Sequence, residues 1–233
     1  MQAGGTTTFA ATGDGTAGSG NLTIAGSNVS VNDVILAAKN QVNVVNTTDT
    51  DTTASTNRSS SASVGISYTN QGFGVSASMA NAHGDANSDA AIQTNSHVTG
   101  ANSVTLVSGG DTNIIGSDVA GGTVNANVGG NLNVQSVQDT TVSTAHQSSV
   151  SGGFSISQGG GSASFSAQNG HADSNYAQVK EQAGILAGDG GFNINVDGNT
   201  NLTGAVISST AQAEKNSLTT GTLTFSIVDN ESS

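Results

Sequence analysis

The sequence contains no cysteine and no proline among its 233 residues. Without cysteine there is no disulfide, no thiolate nucleophile and no cysteine-ligated metal. Proline removes a donor from a β-ladder and is excluded from central strands, so its absence favours a chain whose backbone is mostly paired in sheets. A chain that crosses a membrane unfolded would also meet neither disulfides nor slow prolyl isomerisation on the way.

Charged and aromatic residues are scarce as well. Charged residues make up 9% of the chain, aromatic residues make up 3%, and the formal net charge is −12. The strong cations are scattered along the sequence: Lys39, Arg58, Lys180 and Lys215. Phosphate binding relies mainly on Lys and Arg, so we predict no nucleic-acid partner. No window approaches 18 consecutive apolar residues, which argues against a membrane-spanning helix.

Glycine, serine, threonine and asparagine are abundant, and they are arranged in a repeat. Residues 20–46 read GNLTIAGSNVSVNDVILAAKNQVNVVN, and residues 110–136 read GDTNIIGSDVAGGTVNANVGGNLNVQS. A third, shorter copy begins at Gly198. Repetition at a fixed long spacing indicates a repeat architecture.

Each copy consists of short alternating apolar runs separated by Gly, Asn and Asp turns, which is typical of short strands. The interval from Leu22 to Val42 is the same as the interval from Ile24 to Val44. A parallel coil of about 20 residues per turn would produce this interval and would stack each strand on its predecessor at roughly 4.8 Å. The sequence therefore predicts an all-β fold, a parallel β-helix with Val, Ile and Leu inside.

Two long excursions interrupt this pattern, at about residues 47–98 and 137–186. Each begins with a polar stretch and continues as a β-hairpin with one apolar face, turning at residues 69–72 and 158–161. The apolar face packs on the flank of the coil and covers a sheet edge, or it stays exposed and meets a membrane or receptor. Its residues are the candidate interaction surface: Val64, Ile66, Tyr68, Phe73, Val75, Phe154, Ile156 and Phe165.

Two His-x-Asp sequences follow the hairpins at equivalent places, His83 to Asp85 and His171 to Asp173. Histidine and carboxylate can ligate a metal or act as a base, but two ligands per copy fall short of a closed metal site. A polar loop copied along with the repeat is the favoured interpretation. We predict no catalytic, cofactor-binding or metal-binding residue in the chain.

Four passages carry a family resemblance: GNLTIAGSNV, GGNLNVQS, NTTDTDTTASTNRSSSASVGISY and FGVSASMANAHGDAN. They resemble the haemagglutinin repeats of filamentous haemagglutinin-like exoproteins, including the toxin-delivery proteins of bacterial contact-dependent growth inhibition. The resemblance covers nearly the whole chain. It implies a right-handed parallel β-helix decorated with hairpins, secretion through an outer-membrane pore partner, and a location on the bacterial surface. It also implies contact with the surface or outer membrane of a target cell.

Repeat pattern and resemblance together predict that residues 1–233 are a single β-helix segment of a larger secreted protein. We expect a non-enzymatic stalk or adhesin that serves in target-cell contact or toxin delivery. Any toxin would be a separate C-terminal domain outside these residues. The alternative is a β-helical polysaccharide-active enzyme such as a lyase, which would need basic residues clustered in a cleft.

Overall fold

The computed structural model describes residues 1–69 and 72–233, and these form two compact units. We call residues 1–49, 91–139 and 177–230 the coil unit, and residues 50–90, 140–176 and 231–233 the hairpin unit. The described residues contain no α-helix and one 3-10 turn, Ala213–Lys215. None of their helical residues forms a segment with the length and apolarity needed to span a membrane.

Fourteen short to medium strands and four long ones make up the chain. In order they are β1 (Gln2–Ala11), β2 (Leu22–Ala25), β3 (Asn28–Ala38), β4 (Val42–Val45), β5 (Thr47–Thr69), β6 (Gly72–Thr94), β7 (Ser96–Ser108), β8 (Thr112–Ile115), β9 (Ser117–Val128), β10 (Leu132–Gln135), β11 (Asp139–Ser157), β12 (Gly160–Gln178), β13 (Gly184–Val196), β14 (Asn199–Thr203), β15 (Val206–Ser209), β16 (Ser217–Thr219), β17 (Thr222–Ser226) and β18 (Glu231–Ser232).

Two parallel sheets build the coil unit. One has the order β1-β3-β7-β9-β13-β15, with β16 beside β13, and the other has the order β17-β14-β10-β8-β4-β2. Leu22 lies against Val42 and Ile24 against Val44, so an uninterrupted turn of the coil takes about 20 residues, a length found among solenoid repeats. The predicted all-β fold, a parallel β-helix whose turns have this length, is confirmed.

The hairpins account for the longer intervals along the chain. Asn43 pairs with Asn113 and Asn133 pairs with Asn201, intervals of 70 and 68 residues that each contain one pair of long strands. In the last turn Thr200 pairs with Leu223, a slightly longer interval than that from Leu22 to Val42, and that turn contains the 3-10 turn. The ninety-residue spacing of the sequence repeat is therefore coil plus hairpin.

Columns of like residues form the core of the coil unit. Leu36 lies on Leu106, which lies on Ala126, and Ala126 lies on Ile194. Val34, Val104 and Val124 form the next column and are completely buried. Because a strand directs alternate side chains to opposite faces, in-register stacking buries every second residue of each turn.

An asparagine ladder runs along the outside of the second sheet. The side-chain amide of Asn113 donates to Asn43 at 2.8 Å, Asn133 donates to Asn113 at 2.8 Å, and Asn201 donates to Asn133 at 2.9 Å. Thr224 closes the ladder by donating its hydroxyl to Asn201 at 2.6 Å. Each asparagine side chain thus forms a hydrogen bond with the equivalent side chain of the neighbouring turn, which explains why asparagine recurs at this place in the repeat.

Replacing Asn113 with alanine removes two bonds of this ladder and is expected to lower the free energy of unfolding by about 1–2 kcal/mol. Urea denaturation followed by far-UV circular dichroism measures the change. Gln135→Ala is the control, because Gln135 is exposed and its substitution should change stability by less than about 0.5 kcal/mol. Equal effects of the two substitutions would show that the ladder contributes nothing to stability.

Candidate interaction surface

The hairpin unit is built from four long strands that lie in the order β5-β6-β11-β12, followed by the short β18. β5 and β6 have 23 residues each, and β11 and β12 have 19 each. The hairpin patterns of the sequence cover only the outer parts of these strands. The polar stretch before the first hairpin belongs to β5, which is the edge strand of the sheet. The turn predicted at residues 69–72 includes positions 70 and 71, which lie outside the described residues.

Within each hairpin the two strands are antiparallel, β5 with β6 in the first hairpin and β11 with β12 in the second. In the first hairpin the Ser63 and Ser78 hydroxyls lie 2.7 Å apart across the two strands. In the second the Ser155 and Ser162 hydroxyls lie 2.8 Å apart. Ser157 and Gly160 flank the turn of this second hairpin, within the range that the sequence predicts.

The two hairpins also pair with each other, through β6 and β11. His83 Nδ1 lies 3.1 Å from the Ser148 hydroxyl, and the Ser88 and Ser143 hydroxyls lie 2.9 Å apart. Position numbers rise along β6 as they fall along β11, so this pairing is antiparallel as well. The four strands therefore form one continuous antiparallel sheet.

Strand alternation and this register bring the candidate surface together. Successive side chains of a strand point to opposite faces, and directly opposed residues of neighbouring strands share a face. All eight predicted residues consequently lie on one face, while the other face carries mainly serine and glycine. Their exposed fractions range from 37% for Val75 to 86% for Tyr68. Exposure of this face is what contact with a membrane or receptor requires. Its role as an interaction surface remains a prediction.

An open groove of about 890 Å³ lies on this apolar face. The groove is lined by Gly152, which has no side chain, and by the side chains of Met79, Val150, Phe154 and Phe165. Met79 and Val150 are 72% and 49% exposed and extend the predicted surface. Met79 continues the alternation of the first hairpin, whereas Val150 is preceded by Ser148 and Ser149 and could not be recognised from the pattern.

The outer part of the hairpin unit carries no charge. Residues 60–68, 73–81, 150–157 and 160–167 contain no Asp, Glu, Lys, Arg or His. The net charge of −12 therefore belongs to other parts of the chain. An apolar, uncharged and exposed sheet face of this kind is suited to contact with another apolar surface.

Histidines lie on the same face, farther from the hairpin turns. His171 Nε2 lies 2.6 Å from the Asp173 carboxylate, and its Nδ1 lies 2.9 Å from His146 Nδ1. The two imidazole rings stack with 4.2 Å between their centroids. The interpretation of both His-x-Asp sequences as loops is wrong, because they lie inside β6 and β12. The long polar strands continue past the hairpin patterns and pair there through their backbones.

Among the described residues, two depressions are each lined by a pair of basic groups. His146 and His171 are among the residues that line one depression of about 350 Å³, and Arg58 and His83 line another of about 500 Å³. Each depression thus has two such residues. Neither assembles three groups that could neutralise and deprotonate an acidic sugar.

One carboxyl group of the coil unit has a clearly shifted pKa. Hydrogen bonds from the Thr16 hydroxyl, the Thr16 backbone N–H and the Ser19 side chain lower the pKa of Asp14 to about 2. The Thr16 hydroxyl contributes most and lies 2.6 Å from the carboxylate. Asp14 is thus ionised far below neutral pH and fixes the turn that precedes β2.

Comparison with known proteins agrees with this architecture. A family model described as "Hemagglutinin repeat" matches residues 1–152 and 141–226. The chain belongs to the hemagglutinin repeat family. The predicted resemblance to filamentous haemagglutinin-type repeats is confirmed, and no solved structure matches the chain.

Relatives of this repeat region extend over the whole chain. It is 66% identical over 232 residues to a protein named "tRNA nuclease CdiA" from Burkholderia pseudomallei, covering 100% of this chain and 18% of that protein. It is 39% identical over 235 residues to "Deoxyribonuclease CdiA" from Yersinia pseudotuberculosis serotype O:3 (strain YPIII), covering 99% and 22%. It is 36% identical over 220 residues to "Toxin CdiA" from Escherichia coli, covering 91% and 7%.

The chain therefore spans less than a quarter of the length of these relatives. The nuclease and toxin names describe the whole proteins, and the part that the chain matches is the repeat region. Neither the family nor the relatives' names favour the lyase alternative.

Proposed function

We propose that this chain is a non-enzymatic repeat segment of a secreted CdiA-type exoprotein that contacts the outer membrane of a target cell through its apolar hairpin face. The hemagglutinin repeat match and the CdiA relatives support the parent class. The observation that carries the membrane contact is the gathering of eight exposed apolar side chains on the uncharged outer part of one sheet face. In this proposal any toxin activity belongs to another part of the parent protein.

The coil unit serves as the stalk in this proposal. Its stacked valine, isoleucine and leucine columns give it an apolar core without disulfides, so the chain can be threaded unfolded through an outer-membrane pore partner. Folding after export then needs neither oxidation nor prolyl isomerisation. The parent protein would accordingly lie at the bacterial surface or be released from it.

The energetics of the hairpin face favour an apolar partner over nucleic acid. Fully burying a large aliphatic or aromatic side chain contributes about 1.5–3 kcal/mol, and several of these side chains are more than 70% exposed. Part of that gain is lost in association and in the ordering of side chains. The chain has four strong cations in 233 residues, so its electrostatic attraction for phosphate groups is weak.

The test is binding of the 233-residue chain to vesicles prepared from Gram-negative outer membranes. The triple variant Ile66→Ser, Phe154→Ser and Phe165→Ser removes three exposed side chains of the face and is expected to weaken co-sedimentation at least ~10-fold, since about 1.4 kcal/mol corresponds to tenfold. Far-UV circular dichroism checks that the sheet is retained.

The matched control lies on the opposite face of the same strands. Ser67→Thr, Ser155→Thr and Ser164→Thr leave the apolar face intact, so binding should stay within about twofold of the original chain. If the apolar-face variant binds vesicles as well as the original chain, the membrane-contact proposal is wrong. Equal losses in both triple variants would contradict it too, because the loss would not depend on the apolar face.

A further inference from the structure

The coil unit contains a cluster of three metal-ligating side chains that the proposed function does not use. His97, Asp118 and Glu181 each offer one ligand atom, and these atoms all lie within 4.8 Å of one another. His97 belongs to β7, Asp118 to β9, and Glu181 precedes β13. Two neighbouring strands and the segment before a third thus contribute one ligand each.

The backbone register brings the first two ligands together. His97 is the Cα partner of Asp118, and the next strand places Gly184 on Asp118. Ser96 and Ser117, which precede these ligands, are buried and fix the start of each strand. The Ser96 N–H donates to the Ser117 hydroxyl at 3.2 Å, and the Ser96 hydroxyl donates to a backbone carbonyl at 2.7 Å. The ligands therefore project from a rigid part of the coil.

The three side chains lie close to one another, and His97 and Asp118 are in direct hydrogen-bond contact that a metal ion would replace. His97 Nδ1 contacts the Asp118 carboxylate and lies 3.5 Å from Glu181 Oε1. Ligand atoms bound tetrahedrally to zinc at about 2.0 Å lie roughly 3.3 Å apart, so the separation from Glu181 suits a shared zinc ion. The Asn95 amide donates to the other Glu181 oxygen at 3.2 Å, which orients this carboxylate as the hydrogen-bond partners of metal ligands do.

Charge and ligand type decide which cation fits. The two carboxylates carry a formal charge of −2, which a divalent cation neutralises. Calcium and magnesium prefer oxygen ligands alone, whereas imidazole together with carboxylate suits zinc. Asp118 and His97 are partly shielded from solvent, with side chains 15% and 32% exposed, and this shielding strengthens their attraction for the cation.

We propose that His97, Asp118 and Glu181 form a Zn²⁺ site that cross-links β7, β9 and the segment before β13. His97 lies three residues after β6 ends, and Glu181 lies three residues after β12 ends. The ion thus ties together the two points at which the chain returns from its long hairpin strands to the coil. Three protein ligands leave a fourth position for water.

Isothermal titration of the 233-residue chain with ZnCl₂ tests the proposal. One tight site is expected, together with a zinc-dependent rise in the melting temperature, and no comparable response to MgCl₂ or CaCl₂. His97→Gln, Asp118→Asn and Glu181→Gln should each weaken zinc binding at least ~10-fold. Glu181 is 48% exposed, so its substitution is the least disruptive to folding and keeps the test valid if another variant misfolds.

The matched control is the other histidine cluster. The double variant His146→Gln and His171→Gln removes a stacked pair that lies in the hairpin unit, and zinc binding should remain within about twofold. Loss of zinc binding in this double variant, with binding retained in Glu181→Gln, would overturn the assignment. Absence of any zinc-dependent heat or melting shift in the original chain would overturn it as well.

Discussion

Replacing Leu106 with alanine is expected to lower the free energy of unfolding by about 4 kcal/mol, within the roughly 2–5 kcal/mol found for buried leucines. Leu106 is completely buried in the column that runs from Leu36 to Ala126. The substitution removes its apolar surface from the core and leaves a cavity. Ala126, the next residue in the column, has no long side chain that could move into the cavity. Relaxation of the surrounding residues therefore recovers little of the lost free energy.

The control for this prediction is the neighbouring residue. Val107 lies on the same strand but points outward and is 40% exposed. Val107→Ala should therefore change stability by less than about 1 kcal/mol. Urea denaturation measures both variants. If both lose equal stability, the assignment of Leu106 to the inner column is wrong.

Gly130→Ala is expected to lower the free energy of unfolding by about 3 kcal/mol, at the upper end of the range for overpacked sites. The Gly130 N–H donates to the Gly110 carbonyl at 3.0 Å, and the Gly130 carbonyl accepts from the Gly198 N–H at 2.9 Å. A Cβ added at Gly130 would lie 2.3 Å from Asp111 Oδ1 and 2.8 Å from the Asp111 backbone nitrogen. A turn of the coil held from both sides cannot shift to make room.

Thermal and urea unfolding of Gly130→Ala are compared with those of Gly5→Ala. Gly5 lies in β1, where an added Cβ would meet no atom within 4 Å. That control should keep its stability within about 0.5 kcal/mol. A Gly130→Ala protein as stable as the Gly5→Ala control would show that the corner of the coil is looser than its stacked hydrogen bonds indicate.

The stacked corner also explains the most visible motif of the sequence. Gly-Asn and Gly-Asp pairs open each copy where an added Cβ would crowd the preceding turn: at Gly110 it would lie 2.9 Å from Asn40 Oδ1, and at Gly198 it would lie 2.6 Å from Asn131 Oδ1. The side chain that follows the glycine accepts from the backbone of the next turn. Asp111 Oδ1 accepts from the Asn131 N–H at 2.7 Å, and Asn131 Oδ1 accepts from the Asn199 N–H at 2.9 Å. The recurrence of these residues was readable from the sequence, but its cause required the structure.

The hairpin unit shows where sequence patterns stop being informative. The apolar alternation of Val64, Ile66 and Tyr68 was sufficient to predict a strand with one apolar face. The polar residues 47–62 belong to the same strand, β5, yet most of them are exposed. Because exposed residues do not need to alternate between apolar and polar, this part of the sequence shows no period of two. The predicted hairpins were therefore too short.

The proposed zinc ligands illustrate a second limit. The interval from His97 to Asp118 is longer by a single residue than the interval from Ser103 to Thr123, farther along the same two strands. A register shift between Gly100 and Ser103 supplies the difference. Strict repetition of the shorter interval would have placed His97 on the buried Ser117 instead, so the sequence predicted no metal site.

The sequence by itself determined the coil: its turn length, its inner columns and its haemagglutinin-type repeat family. It could do so because in-register stacking demands like residues at a fixed interval, and Leu22, Val42 and Val44 record that interval directly. The tertiary structure alone decided that β6 lies beside β11, which joins two separate apolar hairpins into one exposed face. Pairing of that kind is made by backbone hydrogen bonds between distant segments, and backbone groups are the same for nearly every residue.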